Sequence, residues 1–317
     1  MWQLVAGGYL GWALGANDAS NVFGTAVASR MVQFRTAAAA SVGFVLLGAI
    51  LGGAPGMVTY QKLGRTDLDT AFVVCLTAAV TVTVMTWRRL PVSTSQAVVG
   101  ALLAVAALRG RVEWGALGKV VVCWIGTPIG AALAAIVLYA VLGRVINALA
   151  LNLFQYDVVM RTGLVAAGCY GAYALGANNV ANVTGPFVGE GMLSVPAACL
   201  IGAACIGLGV VTFSRGVMLT VGRGLVQLDA FSALVVVLAE AIAVHGYASV
   251  GVPVSTSQAV VGGVLGVGLV RGVRTVRVRT LGAVLGAWLL TPLIAFLAAL
   301  ACCWLGWHFG LIAQSSL

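Results

Sequence analysis

The sequence has very little charge. Only 8% of its 317 residues are charged, against about 25% in soluble domains. Hydrophobic residues make up 61% of the chain, and the mean hydropathy is +1.08. This composition excludes a soluble domain and predicts an all-α polytopic membrane protein. The net charge of +9 does not indicate a nucleic-acid partner, because the basic residues lie between apolar runs, where topology signals lie.

The sequence also lacks the usual marks of metal, redox and hydrolytic sites. It has no CxxC pair, no HExxH string and no GxSxG string. Its seven cysteines lie in apolar segments and are interpreted as small packing residues. We therefore expect no covalent cofactor. An intramembrane enzyme with one acid and one base is a weak alternative, because the polar groups of this chain occur in duplicate.

Ten apolar runs follow one another along the chain and fall into two sets of five. Each is close to the length of a membrane span, and they are 2–29, 36–58, 70–87, 92–108, 114–143, 163–188, 195–213, 230–249, 254–270 and 280–309. Four anchors recur in order between the two sets at offsets of 161 to 164, including Trp124 with Trp288. Such matches indicate an internal duplication. Because five is odd, the second copy begins on the opposite side of the membrane, which predicts inverted repeats like those of many secondary transporters.

The basic residues give an independent prediction of topology. If the N-terminus is outside, inner loops carry twelve arginines: Arg30, Arg35, Arg88, Arg89, Arg144, Arg161, Arg215, Arg223, Arg271, Arg274, Arg277 and Arg279. Outer loops carry only Lys62, Arg65, Arg109 and Arg111, and Lys119 lies near the start of a run. The positive-inside rule therefore predicts a plasma-membrane protein with both termini outside.

The predicted domains are a first repeat at 1–143, a linker at 144–161 and a second repeat at 162–317. Two alternatives stay open at this point. Segments 70–108 and 230–270 are either two crossings each or re-entrant hairpins. In the second case the long runs at 114–143 and 280–309, each with a Thr-Pro pair, could each be two half-helices.

A polar heptad interrupts the first run and returns in the second repeat. Residues 15–21 read GANDASN, and residues 176–182 read GANNVAN. Polar groups at the depth of a span are costly unless they have partners, so we expect each heptad to break its helix and line a cavity. The alternative is that the asparagines only hydrogen-bond between helices.

A second polar element, PVSTSQ, occurs at 91–96 and again at 253–258. Ser93 with Gln96, and Ser255 with Gln258, fit a capping box at a helix start. The dipole and the free amides of a helix N-terminus favour an anion. By symmetry the two copies converge near the middle of the membrane, which predicts a shared oxyanion site, although each copy could also be a cap and nothing more.

Neither motif contains Lys or Arg, although Asp18 lies within the first heptad. A divalent oxyanion and this carboxylate would repel each other by several kcal/mol at an effective dielectric near 20, where two unit charges interact with 332/(εr) kcal/mol. A cation must therefore accompany the substrate, either Na⁺ or a proton, which predicts symport. Glu240 lies within the eighth run and is a second candidate cation ligand. His245 could be an interfacial residue or a proton relay.

At these residues the chain resembles the inorganic phosphate transporter (PiT) family. That family carries Gly-Ala-Asn-Asp-x-Ala-Asn in each half, followed by Gly-x-Pro-Val-Ser-Thr-Thr-His. The resemblance covers the whole chain and implies a compact prokaryotic carrier that moves inorganic phosphate with Na⁺ or H⁺. Here Ser20 replaces an Ala, Asn179 an Asp, and Gln96 and Gln258 both histidines, so the number of coupled ions stays open.

The resemblance and the motifs together give the candidate site residues. Those expected to bind the substrate are Ser93, Thr94, Ser95, Ser255, Thr256, Ser257, Asn17 and Asn178. Those expected to bind Na⁺ are Asp18, Asn21, Asn179, Asn182 and Glu240. The predicted function is phosphate import by symport through alternating access. Sulfate permease of the same fold is the main alternative, a passive channel is a further one, and a homodimer is an additional expectation.

Overall fold

The structure is a computed structural model that describes residues 2–87, 92–188, 192–224, 228–272 and 278–310. Apart from an isolated bridge between Val188 and Leu193, its regular structure within these residues is helical. The helices of the first repeat are α1 (Leu4–Ala28), α2 (Phe34–Gly52), α3 (Ala54–Leu63), α4 (Leu68–Trp87), α5 (Thr94–Leu108) and α6 (Trp114–Ala148). Those of the second are α7 (Leu153–Thr184), α8 (Val195–Gly224), α9 (Ala230–Ser249), α10 (Thr256–Arg271) and α11 (Val278–His308).

Nine of the ten predicted runs each correspond to one helix, whereas the run at 36–58 is divided between α2 and a further helix, α3. It separates from α2 at Gly53 because Pro55 lies in the first turn of a new helix. Seven helices in the described ranges are long and apolar enough to cross a membrane. On α6 the side chains at every fourth position, Ile125, Ile129, Leu133 and Val137, are about 60% exposed. Such an apolar face is expected where a helix contacts lipid, so the all-helical membrane fold is confirmed.

The two repeats are related by inversion. α1 and α7, which carry the two heptads, run antiparallel: Gly7 near the start of α1 lies against Phe187 just after α7, and Phe23 near the end of α1 lies against Gly168. The other pairs follow the same two-fold rule, since α1 packs on α8 as α7 packs on α2, and α5 packs on α11 as α10 packs on α6.

Glycines set the closest of these contacts. A Cβ placed on Gly15 would lie 1.9 Å from the carbonyl oxygen of Ile206, and one on Gly176 would lie 2.1 Å from that of Val45. These positions are equivalent in the two repeats, at the offset of 161. The first glycine of each heptad therefore lets a neighbouring backbone approach the polar centre of the molecule.

Each repeat contains a helical hairpin whose open end is closed by an ion pair. Asp67 caps the start of α4 and pairs with Arg109 at the end of α5, with N–O 3.2 Å. Asp229 caps the start of α9 and pairs with Arg271 in the same way. Because α1 and α7 are antiparallel, the two hairpins enter from opposite faces of the molecule.

The second helix of each hairpin begins in the middle of the molecule. α5 and α10 have 15 and 16 residues, which is about 22–24 Å and short of a bilayer core of about 30 Å. α4 and α9 are long enough to cross, so each hairpin pairs a full-length helix with one that is too short to cross. The long helices α6 and α11 continue through Pro128 and Pro292, so the half-helix alternative is wrong for these two runs.

The predicted linker at 144–161 contains the end of α6 at Ala148 and the start of α7 at Leu153, with Asn152 and Gln155 forming a capping box. The division into domains stays a prediction, as does the orientation of the termini. Pro91, Arg88, Arg89, Arg274 and Arg277 lie outside the described residues, and so do the side chains of Arg223 and Arg279.

The close contact at Gly176 leads to a test of the packing. We expect Gly176→Ala to separate α7 from α2 and to lower the melting temperature in detergent, because overpacking costs about 1–3 kcal/mol. Gly43→Ala on α2 is the matched control, since nothing lies within 4 Å of its added Cβ. Equal melting temperatures for the two variants would contradict this account of the helix contact.

Candidate functional site

The two heptads meet in the centre of the molecule. Asn179 donates from Nδ2 to Oδ2 of Asp18 at 3.0 Å, and both residues are buried. They occupy equivalent positions, 161 residues apart. When a residue contacts its own counterpart, both lie beside the two-fold axis that relates the repeats. The two heptads therefore converge, and they do so through the acidic position of the motif.

The prediction that the heptads break their helices is wrong. α1 continues through residues 15–21, and α7 continues through residues 176–182 to Thr184. Ser20 donates to the carbonyl oxygen of Asn17 at 2.6 Å within the helix, a bond that is compatible with helical backbone. The amides of Asn21, Asn178, Asn179 and Asn182 each bond to a partner on another segment. The bonds within each heptad join side chains to side chains, so the amides do not compete with the helix for its backbone groups. The unwound backbone lies instead just before α5 and α10.

In the second heptad, asparagines hold the segments before these two helices. Asn178 donates from Nδ2 to the carbonyl oxygen of Val254 at 2.8 Å and accepts from the Val254 amide at 3.0 Å. Asn182 donates from Nδ2 to the Ser95 hydroxyl at 3.0 Å. A side-chain amide that makes both bonds to one residue mimics a strand partner, so α7 fixes the backbone that leads into α10.

The first heptad makes fewer bonds of this kind. Asn17 donates to Oδ1 of Asp18 at 3.1 Å, and Asn21 donates to the Thr256 hydroxyl at 3.2 Å. The Thr256 side chain also lies close to the Asp18 carboxylate. Asn17 and Asn21 are only partly buried. Their side chains therefore keep hydrogen-bonding groups that a ligand can reach, whereas those of the second heptad bond to the protein.

The two helix starts face each other across the axis. Ser95 donates to the carbonyl oxygen of Val254 at 2.9 Å, and Ser257 donates to that of Val92 at 3.0 Å. These are equivalent bonds, each running from one hairpin to the other. We call this pair of bonds the clasp, and it joins the two repeats at mid-depth. All eight residues predicted to bind substrate lie in this region.

Only half of each predicted capping box is present. Ser93 and Ser255 accept from the amides of Gln96 and Gln258, both at 3.3 Å. The Oε1 atoms of both glutamines have no hydrogen-bond partner among the described residues. They do not reach back to their own helix starts, so the reciprocal half of the box is wrong. The Thr94 hydroxyl is also buried without a partner in that part of the chain, and it is a spare donor beside the start of α5.

Two carboxylates are buried here, and neither pairs with a basic side chain of the described residues. Glu240 on α9 is 2% exposed, its Oε2 has no partner among the described residues, and it is close enough to Asp18 for the two charges to repel. The ion pairs of the described ranges involve Asp67, Asp157 and Asp229, not these two acids. Isolated buried charges are very costly, so this centre fits a cation with oxygen ligands. The described residues contain no cluster of three His, Cys, Asp or Glu, which a transition metal would favour.

The sequence analysis missed Tyr60. This buried residue on α3 donates its hydroxyl to Oδ1 of Asn182, while its neighbour Thr59 donates to the carbonyl oxygen of Gly251 at 2.5 Å. Tyr60 lies outside both motifs, and the repeat offset pairs it with Val221, so no duplication marks it. α3 thus covers the centre from one side. His245 lies away from the centre, with Nδ1 2.9 Å from the Tyr170 hydroxyl.

The sequence and the fold were compared with those of known proteins. The sequence model of the phosphate transporter family matches residues 14–156 and matches again at residues 154–299, once for each repeat. The chain belongs to the phosphate transporter family. It is a multi-pass membrane protein, and the family and its relatives are transporters and permeases.

Individual relatives of this family member match along nearly their whole length. A protein of Methanocaldococcus jannaschii with a provisional phosphate permease name is 28% identical over 295 residues, which is 93% of this chain and 94% of that protein. A similarly named protein of Haemophilus influenzae is 26% identical and covers 93% of both. A solved structure described as the sodium-dependent phosphate transporter has a TM-score of 0.83 at 24% identity, over 99% of this chain and all of that one. It shows that the fold is shared.

The bond from Tyr60 can be tested by removing one hydroxyl. We expect Tyr60→Phe to lower the melting temperature in detergent, because a buried acceptor that loses its donor costs about 1–3 kcal/mol. Tyr139→Phe is the matched control, since no hydrogen bond is found for that hydroxyl among the described residues and its ring packs on Phe231. A Tyr60→Phe protein as stable as the control would show that this bond does not hold α3 over the centre.

Proposed function

We propose that this family member imports inorganic phosphate by symport with Na⁺ or H⁺ through alternating access. The observation that carries the proposal is the pair of buried carboxylates, Asp18 and Glu240, beside two facing helix N-termini. Among the described residues no basic side chain forms an ion pair with either acid. The helix starts supply positive potential for an anion, and the carboxylates require a cation. Both ligands must therefore be present for either to bind well.

The cation removes the repulsion that phosphate would otherwise meet. Two unit charges about 5 Å apart repel by roughly 3 kcal/mol at an effective dielectric of 20. In this proposal Asp18 and Glu240 supply charge, while Asn21, Asn179 and Asn182 supply amide oxygens for Na⁺. A proton on Asp18 is the alternative, and it would neutralise the same charge without further ligands.

Phosphate would bind between the starts of α5 and α10. The Thr94 hydroxyl already lacks a partner, and the first amides of each helix have no acceptor within their own helix. The Ser95 and Ser257 hydroxyls donate to backbone carbonyls of the opposite hairpin, and phosphate oxygens would replace those carbonyls as acceptors. Ser93, Ser255, Thr256, Asn17 and Asn178 complete the proposed site.

This exchange of acceptors would couple binding to movement. The clasp from Ser95 to Val254 and from Ser257 to Val92 joins the two repeats only while these hydroxyls are not used elsewhere. When phosphate takes them, the hairpins lose two bonds to each other and gain a shared ligand. The repeats can then rock about a fixed central site, which is the usual motion of inverted-repeat carriers.

The orientation of the protein in the membrane is also part of the proposal. With both termini outside, α3 and the open end of the first hairpin face the exterior, and the open end of the second hairpin faces the cytoplasm. The protein would then lie in the plasma membrane.

The test is phosphate uptake into proteoliposomes with the Na⁺ and proton gradients set separately. We expect uptake to require one of the two gradients and Asp18→Asn to abolish it, because the variant removes the charge that binds the cation. Asp157→Asn is the matched control, since its ion pair with Arg161 is exposed and such pairs contribute little.

Full uptake by Asp18→Asn would contradict the role of Asp18. Uptake by the unmodified protein that is independent of both gradients and lacks saturation or counterflow would indicate a channel. Labelled phosphate uptake that is displaced by sulfate at lower concentration than by phosphate would indicate a sulfate permease.

A further inference from the structure

A large open cleft lies on the face where α3 ends and α6 begins. Its volume is about 1550 Å³. Its walls come from the end of α3, the loop that leads to α4, the loop between α5 and α6, and the first turns of α6. Gly185 and Val188, which follow α7, complete it.

Positive charge dominates the lining of this cleft. Five basic residues contribute to it, Lys62, Arg65, Arg109, Arg111 and Lys119, against two acidic ones, Asp67 and Glu113. Arg109 is engaged with Asp67. The other four basic side chains are exposed and form no ion pair with a described residue, so their charge is available to a ligand in the cleft.

These are also the few basic residues that the predicted outer side has. Twelve arginines are counted on the inner side, and every basic residue assigned to the outer loops lines this one cleft, together with Lys119. They come from three separate stretches of chain, at 62–65, 109–111 and 119. The positive-inside rule disfavours basic residues in outer loops. Because those present nevertheless converge on one concave surface, we infer that they bind a ligand there.

The cleft adjoins the central site. Thr59 lines it, and the next residue, Tyr60, bonds to Asn182 of the second heptad. Gly185 also lines it, and an added Cβ there would lie 3.2 Å from the Tyr60 ring. A single helix, α3, thus separates the charged cleft from the centre.

We propose that this cleft is a capture site for small polyvalent oxyanions, held by Lys62, Arg111 and Lys119 before they enter the central site. A cleft lined by one sign of charge concentrates counter-ions and raises their association rate. Asp18 and Glu240 in the central site pair with no basic side chain that the structure describes, so the attraction of an anion from solution is left to the cleft. This inference rests on the proposed function, because capture is useful only to a carrier of such anions. The attraction of anions to the cleft can be measured without transport.

The direct test measures the reaction of a cysteine placed in the cleft. Gly115→Cys fits because nothing lies within 4 Å of an added Cβ, and the seven native cysteines are replaced first. Impermeant anionic and cationic thiosulfonate reagents of similar size are added outside phosphatidylcholine proteoliposomes. We expect the ratio of anionic to cationic rates to exceed that of a free thiol by about tenfold at low ionic strength.

Two variants make this test specific. Lys62→Gln with Lys119→Gln should bring the ratio close to that of the free thiol, and high salt should do the same through screening. Arg144→Gln, an exposed position at the other end of α6, should leave the ratio unchanged. Inorganic phosphate should slow the anionic reagent in the parent protein but not in the double variant.

A free-thiol ratio in the parent protein at low salt would overturn the proposal, as would a rate that phosphate does not change. Phosphatidylglycerol lowers the ratio at any thiol near the vesicle surface, so its effect is compared with that on a lipid-anchored thiol in the same vesicles. A larger fall at Gly115→Cys would assign the cleft to lipid headgroups and also overturn the proposal. These outcomes are independent of uptake. A protein that passes the thiol test but moves no phosphate would refute the proposed function alone.

Discussion

The contact between Asp18 and Asn179 is the constraint on which the rest of the centre depends. It joins equivalent positions beside the two-fold axis, where any residue meets its own counterpart. Two aspartates here would place like charges about 3 Å apart, whereas one Asp and one Asn form a hydrogen bond. The charge missing from the second heptad is present elsewhere, since Glu240 lies on α9 and its counterpart in the first repeat is Ala78. The centre therefore holds two carboxylates in a frame that is symmetric in backbone and asymmetric in charge.

Duplication explains how so many polar groups are satisfied at this depth. Each heptad glycine brings a neighbouring helix close, each hairpin donates a serine hydroxyl to the other, and each open hairpin end is held by an Asp–Arg pair. The departures from symmetry are as informative as the matches. Tyr60 is one such departure, since the repeat offset pairs it with Val221.

Much of this could be predicted from sequence. The duplicated motifs indicate inverted repeats, and they show which residues lie close to the axis between them. The runs, the repeats, the convergence of the motifs and the N-cap role of Ser93 and Ser255 follow from spacing and residue type. The helix breaks could not be placed, since Asn and Asp have similar local preferences whether their partners lie in their own backbone or across an interface. The glutamine half of the capping box failed for the same reason, because buried side chains respond to partners that are distant in sequence. Tyr60 had no repeat signal, and the convergence of the basic residues on one cleft required the structure.

The central claim is that the buried carboxylates make phosphate binding depend on a cation. The most direct measurement is the equilibrium binding of labelled phosphate to the purified protein in detergent, as a function of Na⁺ at fixed pH and of pH without Na⁺. The account predicts that affinity rises with one of the two cations, and that in Asp18→Asn this dependence is lost. Equal phosphate affinity with and without both cations in the unmodified protein would contradict it.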